Sequence, residues 1–534
     1  MFTFQESFLC VLYYWRDILL KLQIRNKKNQ KGSILLYSLI ISMIVLTIGL
    51  SIAQIVLTEI KASGDAASSQ QAYYAAETGL EEGLLNPSDD YIASETCYSG
   101  VCWVVTKDST TGKITAKGQS GGIYRSLEIL FTSSGGGKSE KNLIAVGSNH
   151  SLAVTSAGNV LAWGFNTEGQ LGDNTISGRS LPKKVNNSDN TGYLENIIEV
   201  AGGLFFSAAL DANGNVWTWG DNDNGQLGVG IYSDDIRLPV LVKNESGTGS
   251  LSNIVKIACG VSFCVANDSI NNLWSWGSNS RGQLGNGTTN NSNLPVKIKN
   301  SDGTGYLTGT TKISTSSTHV MALSSSGNIW TWGYNWDGGL GDGSKTDRSL
   351  PVLVKDSSGS SSLSDIVSIS AGGTHSLALN ANGNVWAWGS NSGGQLGDNT
   401  TKDKVLPVRV KDSAGIIDLL GIKQIFAGSG GTSMAKDQDA NIWAWGSNGS
   451  GRLGDGTTIN RGLPVRVNNE SNSIGLSGVS LIVVSGHALS FYPDGKVISW
   501  GANTYGQLGN GSTTNSYFPG IVKDESGSGS LDIF

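Results

Sequence analysis

The chain has 534 residues and a formal net charge of −6, from 37 Lys and Arg against 43 Asp and Glu. Its basic residues are scattered, so it lacks the electrostatic footprint of a nucleic-acid binder, and no nucleic-acid partner is expected. With four histidines and five cysteines spread along it, it shows no metal-ligand cluster, no Ser-His-Asp set and no distinctive carboxylate pair, so no catalytic residue, cofactor or metal is expected.

Residues 1–32 read as a basic cytoplasmic leader that holds Cys10, and Arg25, Lys27, Lys28 and Lys31 crowd its end. Residues 33–57 carry no charge and are long enough to cross a bilayer as one helix, longer than the apolar core of a secretory signal peptide. The positive flank places the amino end in the cytoplasm and everything after residue 57 outside. Residues 58–85 follow as a helical stalk, because Gln70 to Leu85 keeps helical composition with Ala, Glu and Leu spread along it. Lys31-Gly32 ahead of the apolar run, with this stalk behind it, resembles the N-terminal region of type IV pilin-like proteins, particularly minor pilins of the PilX kind. That resemblance implies cleavage by a prepilin peptidase between Gly32 and Ser33, and assembly with pilin-like subunits. Tyr37 stands at the fifth mature position, where the family carries Glu. An unprocessed single-span membrane anchor is the competing reading.

Residues 86–132 read as a small β segment with strands at 101–106, 113–117 and 124–131. Cys97 and Cys102 flank Tyr-Ser-Gly-Val, a turn sequence that brings them within disulfide range. The Gly/Ser-rich stretch at 133–140 is a linker.

From residue 141 to 534 the chain repeats itself. Trp163, Trp219, Trp276, Trp332, Trp388, Trp445 and Trp500 each open Trp-Gly-x-Asn, followed by Gly-x-Leu-Gly at a fixed offset, and seven of the nine prolines fall late in a unit. Before each Trp, period-2 runs surround a turn, as in His375-Ser-Leu-Ala-Leu, Asn382-Gly and Val385-Trp-Ala-Trp388, which is a hairpin signal. Two more short runs, such as Pro351 to Lys355 and Ile366 to Ile369, bring the unit to the four strands of a propeller blade. Units such as Ala371-Gly-Gly-Thr-His-Ser-Leu-Ala-Leu and Asn384-Val-Trp-Ala-Trp-Gly-Ser-Asn resemble the repeats of the regulator of chromosome condensation family. The resemblance implies a seven-bladed β-propeller, so the fold class is mainly β: a propeller preceded by a transmembrane helix, a helical stalk and a small β segment. Leu531-Asp-Ile-Phe534 begins the lead-in seen at Leu251 and Leu363, which the first unit lacks, so the ring should close by pairing the two terminal pieces in one blade.

His150, His319, His375 and His487 all stand 13 residues before their unit's Trp, and Phe206, Phe263 and Thr432 fill that slot elsewhere. One repeated slot reads as packing and not as a catalytic base. Cys259 and Cys264 align with Ala371 and Ser376, which leaves either small buried side chains or a bridge. Gly449-Ser-Gly-Arg-Leu-Gly454 matches a phosphate-loop pattern, but no helix follows it. Asp221-Asn-Asp-Asn-Gly225 has a calcium loop's acidic spacing with Gly one place early and Tyr232 where the bidentate Glu belongs.

The positions that vary beside each Trp-Gly-x-Asn should form a ring on one face of the disc. Phe165, Glu168, Asp221, Asp223, Arg281, Tyr334, Trp336, Asp337 and Tyr505 supply the aromatic and charged groups that dominate interfaces, and they are the candidate binding face, with plain solvated turns as the competing reading. The expected function is a non-enzymatic binding or adhesion head, displayed outside the membrane on a pilin-like stalk, for an extracellular protein or glycan. The alternative is a membrane-anchored propeller that binds or inhibits one extracellular protein and enters no filament.

Overall fold

A computed structural model of the chain describes the strands between residues 96 and 130, and residues 142–534 apart from 316 and 472–474. The leader, the apolar span 33–57 with its flanks Gly32 and Ser33, the stalk 58–85 and the linker 133–140 lie outside the described residues. Among the described residues no helix is long and apolar enough to cross a membrane. The chain divides into two units, Met1–Gly137 and Lys138–Phe534.

In the first unit, β1 (Thr96–Tyr98), β2 (Val101–Asp108), β3 (Lys113–Ser120) and β4 (Ile123–Leu130) form an antiparallel meander in chain order. Cys97 stands opposite Cys102 across β1 and β2, and Cys102 is disulfide-bonded.

The second unit is a seven-bladed propeller of four-stranded antiparallel sheets, each built from consecutive strands. The first blade runs Ile144–Val146, His150–Val154, Val160–Gly164 and Arg179–Lys184; the last runs Leu481–Val484, His487–Phe491, Val497–Gly501 and Ser516–Ile521. Ile366–Ala371 is the first strand of the sheet that holds Trp388, as the Leu363 lead-in implies. These first strands carry the small side chains, such as Ala145, Ala201, Cys259 and Ala371, that line a central channel. The seven repeat prolines fall in the fourth strands, as Pro182 does in Arg179–Lys184, where the outer edge has no ladder partner to need a missing N–H.

All seven repeat tryptophans are fully buried, and each donates its Nε1–H into the preceding blade. Trp219 bonds the Gln170 carbonyl at 2.8 Å, and Trp163 closes the circle on the Gln507 carbonyl at 2.9 Å. That close approach explains the second glycine of Gly-x-Leu-Gly: Gly172 sits at φ +65°, and a Cβ there would meet Trp219 Nε1 at 2.8 Å. The repeat Asn pins the loop that follows. Asn166 Oδ1 accepts from the Leu171 amide at 2.9 Å, while its Nδ2 donates to the Thr175 and Ser177 carbonyls.

Ring closure differs in one respect from the expected shared blade. The first and last sheets are each complete with four strands of their own, so the terminal segment adds no strand. Instead it occupies the junction between them: the Ser156 amide bonds the Ile533 carbonyl at 2.6 Å, and the Ile533 amide bonds the Gly495 carbonyl at 3.1 Å. Leu531 and Ile533 share one apolar cluster with Ile144, Trp163, Leu489 and Val497.

Candidate binding face

In each antiparallel blade the loop between the first two strands and the loop between the last two emerge at the same end. Backbone bonds tie them together, as from the Phe165 amide to the Asn149 carbonyl at 2.9 Å. The variable positions beside Trp-Gly-x-Asn therefore share one face, and neighbouring blades bring them together in three groups.

The first group spans the third and fourth blades. The Arg281 guanidinium lies 4.7 Å from the Trp336 ring centroid and 5.7 Å from that of Tyr334, with the two rings 6.1 Å apart. Arg281 Nη1 pairs with Asp347 Oδ2 at 3.3 Å, and the Tyr334 hydroxyl donates to Asp337 Oδ2 at 3.2 Å. Asp347 is itself held, because its other oxygen accepts the Asn335 amide at 2.8 Å. Trp336 remains 58% exposed although its cation is already in place. The second group joins the last, first and second blades, where the Phe165 ring packs 4.7 Å from Tyr505 and 5.7 Å from Phe205.

The third group is acidic. Asp235 is pushed up to about 6, first by burial, then by its hydrogen bond to Glu168 and the charges of Glu168 and Asp221, against which Arg237 pulls down. Asp221 is raised too, chiefly by burial. Asp223 is exposed beside them, its amide bonded to Asp221 Oδ1 at 2.9 Å. Among the described residues no group of three His, Cys, Asp or Glu is placed to hold a metal ion. Each of the nine residues of the sequence-derived ring joins one of three groups of neighbours. Phe205, Asp235 and Asp347 complete those groups from other loops.

The histidines are more than packing. His150, His319, His375 and His487 are fully buried, and each Nε2 meets a serine hydroxyl of the next blade: Ser207 at 3.0 Å, Ser376 at 3.0 Å, Ser433 at 2.9 Å and Ser151 at 2.7 Å. Each hydroxyl gives its proton to a backbone carbonyl, as Ser376 does to Gly339 at 2.8 Å, so it accepts from the imidazole. The neutral Nε2–H form follows, with Nδ1 buried and without a partner. Burial holds His150 and His319 at about 4; His375 and His487 fall to about 3, again chiefly through burial. Where Phe206 or Phe263 replaces His, the facing serine position is Cys264 or Val320, and where Thr432 does, it is Ala488. Cys264 is bridged to Cys259 across the first two strands of its blade, which settles the open pair as a disulfide.

A circular seven-bladed propeller with a constant buried frame and one variable face is a scaffold of the repeat-propeller class. The chain belongs to the regulator of chromosome condensation family: the RCC1-like domain matches residues 131–417, and the RCC1 repeat matches residues 439–490 and 494–533. The chain is 30% identical over 385 residues to the ultraviolet-B receptor UVR8 of Arabidopsis thaliana, covering 71% of this chain and 81% of that protein. It is also 30% identical over 380 residues to the human E3 ubiquitin-protein ligase HERC2, covering 70% of this chain but 7% of HERC2. Of solved structures, Prp20p from Saccharomyces cerevisiae superposes with a TM-score of 0.57 at 20% identity, covering 70% of this chain and 88% of that one. Human WBSCR16 gives 0.54 at 20% identity, covering 68% and 87%. At those identities the two structures speak for the fold alone.

Proposed function

We propose that the protein is a binding head that engages a protein or glycan outside the membrane through the face carrying Arg281, Tyr334 and Trp336. The observation that carries this is a cation already stacked on two aromatic rings and paired to Asp347, with Trp336 still open. Such a group needs little ordering on binding, and exposed Trp, Tyr and Arg are the side chains that dominate interfaces. The family supports binding to protein: Prp20p is described by its binding to Gsp1p and histones. A protein and glycan array probed with residues 138–534 should yield a ligand. Arg281→Ala with Trp336→Ala should then weaken it by about 2 kcal/mol or more, roughly 30-fold. Unchanged affinity in that variant would move the site off this face.

In this reading the head is carried on a pilin-like stalk, with residues 33–57 in the membrane and the amino end in the cytoplasm, and is matured by a prepilin peptidase. The support is the uncharged 33–57 run, its basic flank and Lys31-Gly32. Co-expression with a prepilin peptidase should give a mature N-terminus at Ser33, and Gly32→Glu should block it. An intact leader in both cases leaves the single-span anchor without a filament.

A further inference from the structure

The constant frame is broken once by a charge. Five blades place Gln at the residue after the first glycine of Gly-x-Leu-Gly, as Gln170 and Gln395, and the fourth has Gly339; the sixth places Arg452 there. Where Gln stands, its side-chain oxygen typically accepts a nearby loop amide, as Gln395 Oε1 does from Gly393 at 2.8 Å. Arg452 cannot accept. Its Nη1 donates instead to the Gly430 carbonyl at 2.8 Å, and its Nε is buried with no partner.

A desolvated guanidinium normally sits against a carboxylate, because burying a cation without a counterion is unfavourable. Arg452 meets none among the described residues, and burial, unopposed by any acid, pulls it below the ordinary guanidinium value. The turn that accepts its Nη1 reaches the channel mouth one residue earlier. Ser429, which precedes Gly430, and Ser485 line the mouth of the central channel, and their hydroxyls bond each other. One proton serves that bond, so the second hydroxyl proton is left to donate. Gly430 itself leaves room for nothing larger, since a Cβ there would crowd Arg452 Nη1 and meet the Ser485 carbonyl at 2.8 Å.

We propose that Arg452, with the Ser429 and Ser485 hydroxyls, forms a carboxylate-binding site at the channel mouth between the sixth and seventh blades. One guanidinium and one spare hydroxyl match a singly charged, planar acceptor that can take several hydrogen bonds. The carboxylate comes either from a free small acid or from an acidic side chain of a bound protein. The site goes beyond the aromatic group of the third and fourth blades and stands or falls independently of it.

The test is thermal unfolding of the full chain with propionate, and separately with an end-blocked peptide carrying a single Glu. Propionamide, the Gln peptide, inorganic phosphate and chloride at matched ionic strength serve as controls. Arg452→Gln restores the residue of five sister blades and should fold at least as stably without ligand. At saturation a rise of about 3 °C is expected in the native chain and none in Arg452→Gln. A response to propionate supports a free acid, and a response confined to the Glu peptide supports a side chain presented by a partner. No response to either, an equal response in Arg452→Gln, or a response to inorganic phosphate without one to either carboxylate overturns the proposal.

Discussion

Acidification from pH 7.5 to pH 5 should lower the unfolding temperature of the propeller by about 10 °C, through four buried histidines. His150, His319, His375 and His487 titrate at about 4, 4, 3 and 3 in the folded chain, held there by burial. An unfolded histidine takes up its proton near pH 6.5. The folded value is the lower one, so the contribution is fully present above about pH 6.5 and is lost as pH falls toward the folded values. At pH 5 that amounts to about 2 kcal/mol per histidine, and four of them rival the total stability of an ordinary domain. Asp235, raised to about 6, and Asp221, also raised, act with the opposite sign, but they are two carboxyls against four imidazoles. The depressed carboxyls Asp173, Asp342 and Asp455 act below the ordinary carboxylate range, after most of the histidine effect has been spent. The protein supplies its own control. His319→Phe with Ser376→Val copies the Phe263 and Val320 pair of the preceding junction and should remove about a quarter of the pH dependence. Ser376→Val alone leaves the His319 Nε2–H buried without an acceptor and should cost about 1–3 kcal/mol at neutral pH. If the paired variant keeps the full slope between pH 6.5 and 4.5, the histidines do not carry it.

The propeller was legible because its signals are local and recur: Trp-Gly-x-Asn and the two glycines each serve a turn or a contact inside a short window. The first strand of each sheet was legible too, since Leu363-Ser-Asp-Ile-Val reads as the lead-in to the Trp388 unit and Ile366–Ala371 opens that sheet. The tryptophan acceptors were hidden because they are backbone carbonyls, which carry no residue signature. The His–Ser pairing could have been read from the repeats alone: each His has Ser in the matching slot of the next blade, and each exception changes both partners. On the binding face, Arg281, Tyr334 and Trp336 were found because they vary at fixed offsets. Asp347 was missed because Asn291, Asp403, Asn460 and Asn515 fill the same slot and serve the frame, each accepting the repeat Asn amide. Phe205 was missed because it comes from the inner loop, where the face is assembled across blades and not along the sequence.

The junction between the last and first blades should prove the weakest point of the ring when its apolar anchor is cut. Every other junction is crossed by continuous chain, with a leucine such as Leu363 buried at the lead-in. Here Leu531 and Ile533, 5% and 1% exposed, hold the first blade from the outside of a chain break. Leu531→Ala should cost about 2–5 kcal/mol by transfer and cavity terms, as Leu363→Ala should at an internal junction. The equilibrium losses are comparable; their consequences are not. After Leu363→Ala the two blades stay tethered, so reclosure is local. After Leu531→Ala the remaining ties include the Ser156 to Ile533 backbone bond and the wall-to-wall packing of Ile144–Val146 against Leu481–Val484, and opening exposes two sheet flanks together. Amide exchange at residues 144–154 and 487–500 should therefore accelerate together in Leu531→Ala, while Leu363→Ala affects only the blades on either side of it. Deleting residues 531–534 should go further and lower the unfolding temperature by about 6 °C or more. If Leu531→Ala leaves exchange at 144–154 as slow as in the parent chain, the ring is held by its blade walls and the terminal segment is dispensable.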